Sequence, residues 1–319
     1  MERHGGVGNL RDTPRTGHLT RTFPSMLIRR HRTGLVVRAP AKVNLHLEVL
    51  RRRDDGYHDL ETLMVAVNLY DTLEFTEETS GAVRLQCDHD NLSTGPDNLI
   101  CRAAELVRHK AGHAGGVTIK LRKRIPLAAG LAGGSSDAAA TLAGLNRLWN
   151  LGWDRALLAE LGAGLGSDVP FFFSTPAAWC TGRGEQVEPL TLGKPLDFVL
   201  VCPPVGLSTA EVFRSLTVPV EPLSGKEVRE AARTGDVEKL GQVLHNRLQP
   251  AAARLCPAVA SAYERLARLG PAGQLMSGSG STVFALCRDA GEALRLTRSL
   301  SQAREATAGE RVFIVRSCI

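Results

Sequence analysis

Apolar and polar residues alternate through the stretch LVVRAPAKVNLHLEVL, most regularly after Pro40. An alternation with a period of two is typical of a β-strand that has one face on a core and the other toward solvent. The turn-rich segment RRRDDGYHDL follows, and ETLMVAVNLYDTLEFTEE then returns to strand-like alternation before the short strand AVRLQCD. The pattern therefore predicts that the first domain begins in a sheet, with a half-buried first strand.

The spacing of apolar residues changes to that of a helix after Asn98. In LICRAAELVRHKAG the apolar residues fall on one helical face, which Gly112 ends. GVTIKLRKRIP then predicts a strand that Pro126 terminates, and a glycine-rich turn leads directly into the predicted helix SSDAAATLAGLNRLWN. A second helix is predicted near 154–161. The order strand, glycine loop, helix is the feature on which the functional interpretation depends.

The remaining pattern predicts two domains of the α+β class and a basic extension. The strand DFVLVCPP, a charged helical region over 211–248, a helix over 258–269, the segment QLMSGSGSTVFALC and a last strand RVFIVRS form a second α/β segment. Residues 1–33 are rich in arginine and lack hydrophobic periodicity, so we predict that they are disordered. The two domains are predicted over 34–190 and 191–319.

Composition excludes several classes of protein. The seven cysteines include no CxxC pair and no cluster with histidine, which argues against a disulfide framework and against a zinc site. The net charge of +6 suits nucleic acid and polyphosphate ligands equally. The sequence has neither a membrane-spanning apolar stretch nor a secretory signal, so we expect a cytoplasmic protein without a membrane partner. Met26 is an alternative start, and the basic tail is a weak match to a transit peptide.

The glycine-rich turn is the first candidate for chemistry. Backbone amides at the start of a helix have no partner within the helix, and the helix dipole is positive there, so a close-approaching loop of such amides can hold a phosphate chain. A helix cap without any ligand is the alternative interpretation. The loop is neither a Walker A motif nor GxGxxG. The candidate ATP-binding residues are Pro126, Leu127, Ala128, Ala129, Gly130, Leu131, Ala132, Gly133, Gly134, Ser135 and Ser136.

The loop sequence PLAAGLAGGSSDAA resembles the second motif of the GHMP kinases, in the lengthened form of the diphosphocytidyl-methylerythritol kinases. Further motifs of that family occur in the expected order, and the resemblance covers about residues 36–287: PAKVNLHL, GYH, DNLI, LGSDVPFF and MSGSGSTVF. Ala129 and Ala132 stand where some relatives have glycine, a change expected to leave the backbone path intact. The resemblance implies a two-domain GHMP kinase fold with a ribosomal-protein-like N-terminal domain, a ferredoxin-like C-terminal domain and a site between them.

The same resemblance implies roles for individual residues. Asp168 is expected to be the catalytic base, and Lys42 to keep that carboxylate ionised and to stabilise charge on the transferred phosphoryl group. On sequence alone, Asp168 as a turn former and Lys42 as a solvent-exposed strand residue remain open alternatives. The nucleotide is expected to contact Asn98 and Lys123, although Asn98 is equally well explained as a helix cap. Mg²⁺ is expected to bridge the ATP phosphates, with Ser135 or Ser136 assisting it.

Substrate residues are also implied by the resemblance. Tyr57 and Phe213 are expected to cover the two faces of a cytosine base whose edge His58 reads, with a Tyr-His turn and a core phenylalanine as the alternative interpretation. Contacts to the diphosphate and polyol portions, and a second backbone nest over the phosphates, are expected from Asn44, Thr209, Gly278, Ser279 and Gly280.

The implied activity is transfer of the ATP γ-phosphoryl group to the 2-hydroxyl of 4-diphosphocytidyl-2-C-methylerythritol, a step of non-mevalonate isoprenoid synthesis. The alternatives are another GHMP kinase, acting on homoserine, mevalonate or a sugar, or a basic RNA-binding protein. We expect a small-molecule substrate, no nucleic-acid partner, and a monomer or a weak homodimer.

Overall fold

The computed structural model of the chain describes residues 23, 25–302 and 308–318. The strands are β1 Leu27–His31, β2 Gly34–Arg52, β3 His58–Glu78, β4 Val83–Cys87, β5 Gly116–Arg122, β6 Ala177–Thr181, β7 Gln186–Pro189, β8 Asp197–Cys202, β9 His245–Asn246, β10 Gly273–Met276, β11 Val283–Cys287 and β12 Arg311–Arg316. The helices are α1 Leu99–Ala111, α2 Gly133–Leu148, α3 Arg155–Ala163, α4 Thr209–Arg214, α5 Lys226–Thr234, α6 Val237–Gln242, α7 Gln249–Leu255, α8 Pro257–Arg268 and α9 Ala290–Gln302.

The larger sheet is built on two long antiparallel strands, β2 and β3. Its order is β1-β2-β3-β5-β4. The first half of β3 pairs with β6, and its second half pairs with β5. The register between β2 and β3 shifts at three places, between Pro40 and Ala41, Asn44 and His46, and Val49 and Arg51. Such bulges bend a strand and increase its twist. Along β2, Val37 accordingly lies in one core cluster, Val43 in a second and Val49 in a third.

Ordered structure begins earlier than the sequence pattern predicts. Strand β1 pairs with β2 from Leu27↔Arg38 to His31↔Gly34, and Phe23, Met26 and Ile28 are buried in the same core. The prediction of a disordered extension over 1–33 is therefore wrong for residues 25–33, because a few apolar side chains among the arginines suffice to anchor this edge strand. Residues 1–22 and 24 lie outside the described residues.

The polar side of β2 is buried, contrary to the predicted half-buried strand. Lys42, Asn44, His46 and Glu48 are each at most 3% exposed. The C-terminal part of the chain covers them, since β9 pairs in parallel with β2 at His46 and the next residue. Buried polar groups need hydrogen-bond partners, so this row must be satisfied internally.

The smaller sheet has the order β10-β11-β8-β12, with every neighbouring pair antiparallel. With α8 before β10 and α9 before β12, this is the βαββαβ arrangement of ferredoxin-like domains. The predicted two-domain α+β fold is confirmed. The charged helical region predicted over 211–248 contains α4, α5 and α6, and a loop with Pro219 and Pro222 separates α4 from the other two helices.

The two sheets share one hydrophobic core. Val43 and Leu45 from β2 belong to the same buried cluster as Phe198 and Phe284 from the smaller sheet. The domain boundary near residue 190 stays a prediction. Within the part of the chain that the structure describes, no helix combines the length and the apolar character needed to span a membrane.

Candidate active site

The glycine-rich loop has an alternating backbone. Ala128, Gly130 and Ala132 have φ angles of 48°, 74° and 54°, all in the left-handed region. Ala132 is also the N-cap of α2, and no side chain caps that helix start. Alternating conformations of this kind turn successive amides toward one concave side, which is the geometry of an anion-binding nest. The alanine at position 132 keeps the backbone path but at a cost of about 1 kcal/mol relative to glycine.

The loop is tied to two distant segments through the carbonyl group of Gly130. That oxygen accepts hydrogen bonds from Lys42 Nζ at 3.0 Å and from Ser277 Oγ at 2.9 Å. A Cβ atom at Gly130 would lie 2.0 Å from the Ser277 carbonyl oxygen, so the two loops are in backbone contact. A Cβ at Gly278 would in turn lie 3.1 Å from Lys42 Nζ. Three segments that are far apart in sequence therefore converge here.

Asp168 lies beside Lys42. Its Oδ2 is 3.8 Å from Lys42 Nζ, and its side chain is 31% exposed whereas that of Lys42 is 4% exposed. Asp168 lies in the turn between α3 and the short 3-10 helix Pro170–Phe173, whose buried phenylalanines anchor it. Burial lowers the pKa of Lys42, and the charge of Asp168 opposes this effect. The pair thus combines a buried cation with a carboxylate that is open on one side.

Asn44 holds Lys42 in place. Its Oδ1 accepts a hydrogen bond of 2.5 Å from Lys42 Nζ, and its Nδ2 donates to Thr62 Oγ1 at 2.8 Å. The side chain is buried, and both ends of the amide are engaged within the protein. The expected contact of Asn44 with the substrate stays a prediction, and the interaction that the structure provides is with Lys42.

Asn98 caps α1, as the alternative interpretation has it. Its Oδ1 accepts from the Ile100 amide at 2.8 Å and its Nδ2 donates to the Ser93 carbonyl at 2.6 Å. The start of α1 nevertheless lies near the phosphate loop, since a Cβ at Gly134 would come within 3.7 Å of Leu99. Contact with adenine stays a prediction for Asn98.

Lys123 lies beneath the start of α2 in a buried group of three charges. It forms ion pairs with Asp71 and with Asp137, the latter at 2.8 Å. A Cβ at Gly133 would be 3.2 Å from Lys123 Nζ. Burial raises the pKa of Asp137 to about 7, although the charge of Lys123 opposes that rise. Lys123 therefore supports the loop from below, and its predicted contact with the nucleotide is untested.

The residues expected to hold a base come from both domains. The rings of His58 and Phe213 are 5.1 Å apart, with 31° between their planes. Tyr57 is 54% exposed, and the guanidinium carbon of Arg183 lies 4.9 Å from the centre of its ring. A Cβ at Gly184, the next residue, would be 3.9 Å from Asp168 Oδ1. The hairpin between β6 and β7 thus links the aromatic residues to the carboxylate.

The third motif meets α4 on the same side. Thr209 Oγ1 and Ser279 Oγ are 2.8 Å apart, and the backbone at Gly278 and Gly280 is in the left-handed region. Asn246 Nδ2 donates to the carbonyl oxygens of Met276 and Gly278 at 2.7 and 2.8 Å, which fixes this loop. The predicted residues of motif three are therefore brought to the loop that holds Gly130.

The structure distinguishes the two serines at the start of α2. Ser136 is fully buried, and its Oγ has no hydrogen-bond partner within the described residues. Ser135 is half-buried, and a Cβ at Gly166, in the turn that carries Asp168, would be 3.8 Å from its Oγ. No group of three or more His, Cys, Asp or Glu residues suited to a metal ion occurs in the described ranges. Ser135 is thus the serine that faces the site.

Thr62, Arg183 and Asn246 contribute to the site but are not among the residues that the sequence predicts. Thr62 lies in a strand of alternating pattern and Asn246 in a region expected to be helical, so no local signal marks either. Arg183 stands in TGRGE, where the two glycines indicate a tight hairpin. An arginine between two glycines is the one signal that could have been noticed.

Comparison with known proteins agrees with this arrangement. Two family descriptions match the chain, "GHMP kinases N terminal domain" over residues 98–175 and "GHMP kinases C terminal" over residues 228–306. A 4-diphosphocytidyl-2-C-methyl-D-erythritol kinase from Pelotomaculum thermopropionicum is 42% identical over 281 residues, 88% of this chain and 96% of that protein. The enzyme of the same name from Bacillus subtilis is 40% identical over 267 residues, 83% of this chain and 92% of its own length.

Solved structures are similar over nearly the whole chain. A crystal structure of 4-(cytidine 5'-diphospho)-2C-methyl-D-erythritol kinase superimposes with a TM-score of 0.73 at 37% identity, covering 88% of this chain and 98% of that one. Homoserine kinase from Cytophaga hutchinsonii gives a TM-score of 0.70 at 18% identity, covering 91% and 96%. At that identity the second likeness concerns the fold alone.

Proposed function

The chain belongs to the 4-diphosphocytidyl-2-C-methyl-D-erythritol kinases of the GHMP kinase family, and from this membership we propose that it transfers the ATP γ-phosphoryl group to the 2-hydroxyl of that cytidyl substrate. The products are the 2-phosphate and ADP. The observation that carries the proposal is the Lys42–Asp168 pair, 3.8 Å apart, beside the left-handed loop around Gly130.

Asp168 accepts the proton of the acceptor hydroxyl. Its carboxylate is open on one side, as a base that must reach a substrate requires, and it lies 3.8 Å from the Lys42 ammonium group. Lys42 also neutralises charge that builds on the transferred phosphoryl group, and in a buried site this electrostatic effect is stronger than in water. Phosphoryl transfer depends mainly on alignment and charge, so no covalent enzyme intermediate is required.

The loop between Pro126 and Ser136 binds the ATP phosphates. Its support is the alternating backbone and the uncapped start of α2, both of which direct amide groups outward. When bound, Mg²⁺ would supply further neutralisation of the phosphate oxygens, and it takes few protein ligands at sites of this kind. Ser135 would hold it, since its hydroxyl faces the turn that carries Asp168.

The cytidine portion binds between Tyr57 and the His58–Phe213 pair. Stacking on aromatic rings contributes about 1–3 kcal/mol per base without selecting the base, so His58 must supply the choice of cytosine. This arrangement favours a cytidyl substrate over homoserine, mevalonate or a sugar, none of which has an aromatic ring to stack.

The test is a coupled assay of ADP release with purified protein, ATP, Mg²⁺ and the cytidyl substrate. Wild type is expected to turn over, and Asp168→Asn to lose activity by at least about 100-fold because the proton acceptor is gone. CMP or CDP is expected to compete with the substrate. Turnover of mevalonate or homoserine in place of the cytidyl substrate, or near-normal activity of Asp168→Asn, would contradict the proposal.

A further inference from the structure

Thr62 lies next to the active site and contacts it through Asn44. The residue is in β3, is fully buried, and pairs across the sheet with Leu47 on β2 and Cys180 on β6. Its hydroxyl makes two hydrogen bonds, one at 2.6 Å to the carbonyl oxygen of His46 and one at 2.8 Å with Asn44 Nδ2.

The direction of these two hydrogen bonds follows from chemistry. A threonine hydroxyl has a single hydrogen, and a carbonyl oxygen can only accept, so the Thr62 hydrogen must point to His46. Toward Asn44, the Thr62 oxygen can then only accept. The NH₂ group of Asn44 must therefore face Thr62, and its carbonyl oxygen must face Lys42.

Thr62 imposes this constraint from the end of the Asn44 amide group that points away from Lys42. An asparagine amide is nearly symmetric in shape, so packing alone does not select between its two orientations. In the reversed orientation its NH₂ group would face the Lys42 ammonium, which also only donates. The 2.5 Å hydrogen bond between Lys42 Nζ and Asn44 Oδ1 would be lost, and Lys42 would keep the Gly130 carbonyl as its remaining hydrogen-bond acceptor among the described residues.

We propose that Thr62 is a positioning residue for phosphoryl transfer, which fixes the amide orientation of Asn44 and through it the place of the Lys42 ammonium group. The inference rests on the proposed role of Lys42. It also gives Asn44 a role in positioning Lys42, which is separate from any contact of Asn44 with the substrate.

The test compares Thr62→Val, which keeps the shape and removes the hydroxyl, with Thr62→Ser, which keeps the hydroxyl. Thr62→Val is expected to lower kcat by about 10- to 100-fold, because small displacements of a catalytic group have effects of that size, while the KM for ATP changes by less than about threefold. Thr62→Ser is expected to restore kcat to within about threefold of wild type. If Thr62→Val shows no cooperative unfolding transition in urea, Thr62→Ala replaces it.

A double-mutant cycle separates positioning from a general structural role. If Thr62 acts through Asn44, then Thr62→Val introduced into an Asn44→Ala background should lower kcat by no more than about twofold further. Full additivity of the two effects would overturn the inference, as would a Thr62→Val enzyme with wild-type kcat. If Asp168→Asn loses activity while Thr62→Val keeps a wild-type kcat, the proposed function stands and this inference fails. An inactive wild type would overturn both the proposed function and the inference.

Discussion

His46 should make the protein less stable in mild acid. The side chain is 1% exposed, lies between Trp179 and His245 at ring distances of 5.5 and 5.4 Å, and its Nε2 has no hydrogen-bond partner in the described part of the chain. Burial, and to a smaller extent the charge of His245, lowers its pKa from 6.5 to about 4. Between these two pH values the unfolded state binds the proton and the folded state does not. Stability is therefore complete above pH 6.5 and falls as the pH drops toward 4.

The size of the effect follows from the two pKa values. A shift of one pKa unit corresponds to about 1.4 kcal/mol, so the full loss is about 3 kcal/mol at pH 4 and about 2 kcal/mol at pH 5. Urea unfolding of wild type and His46→Phe at pH 7 and pH 5 measures it. The difference between the two pH values should be smaller by about 2 kcal/mol in the variant.

A control for this experiment replaces the exposed His109 by glutamine, which removes a histidine outside the buried group. Wild type and His109→Gln should show the same loss of stability between pH 7 and pH 5. The acid sensitivity of other buried groups, such as Glu48, is common to all three proteins and cancels. If His46→Phe loses as much stability as wild type, protonation of His46 is not the cause.

Three further predictions concern the loop, the domain contact and the base site. In urea unfolding, Gly130→Ala should destabilise the protein by about 2 kcal/mol or more beyond the effect of Gly152→Ala. Both glycines have a φ near 70°, but only at Gly130 would the added Cβ lie 2.0 Å from a backbone oxygen. Equal losses of stability in the two variants would contradict this prediction. Arg247→Met should cost about 3 kcal/mol, since it leaves the buried Glu48 carboxylate without its closest cation at 2.6 Å, and a cost below about 1 kcal/mol would refute it. Phe213→Ala should raise the KM for the cytidyl substrate about tenfold with kcat little changed, and should weaken inhibition by CMP equally; a loss in kcat alone would exclude stacking.

The local sequence pattern was sufficient to predict secondary structure wherever a residue's neighbours in sequence fix its conformation. The alternation around β2 and β3, the helix from Asn98 to Gly112 and the loop before α2 all follow from spacing, caps and glycines, and the structure confirms them. The residue types of the site were also evident, because a resemblance in ordered motifs carries them.

Long-range contact decided the rest. Sequence alone indicates a two-domain α+β kinase with a lysine, an aspartate and a glycine loop, whereas the structure was needed to place Lys123 against Asp71 beneath that loop and Asn44 between Lys42 and Thr62. These roles depend on hydrogen-bond partners, and Asp71 and Thr62 lie 52 and 18 residues away in the chain from Lys123 and Asn44. Periodicity describes one face of one element, but the burial of both faces of β2 depends on a second domain that covers it.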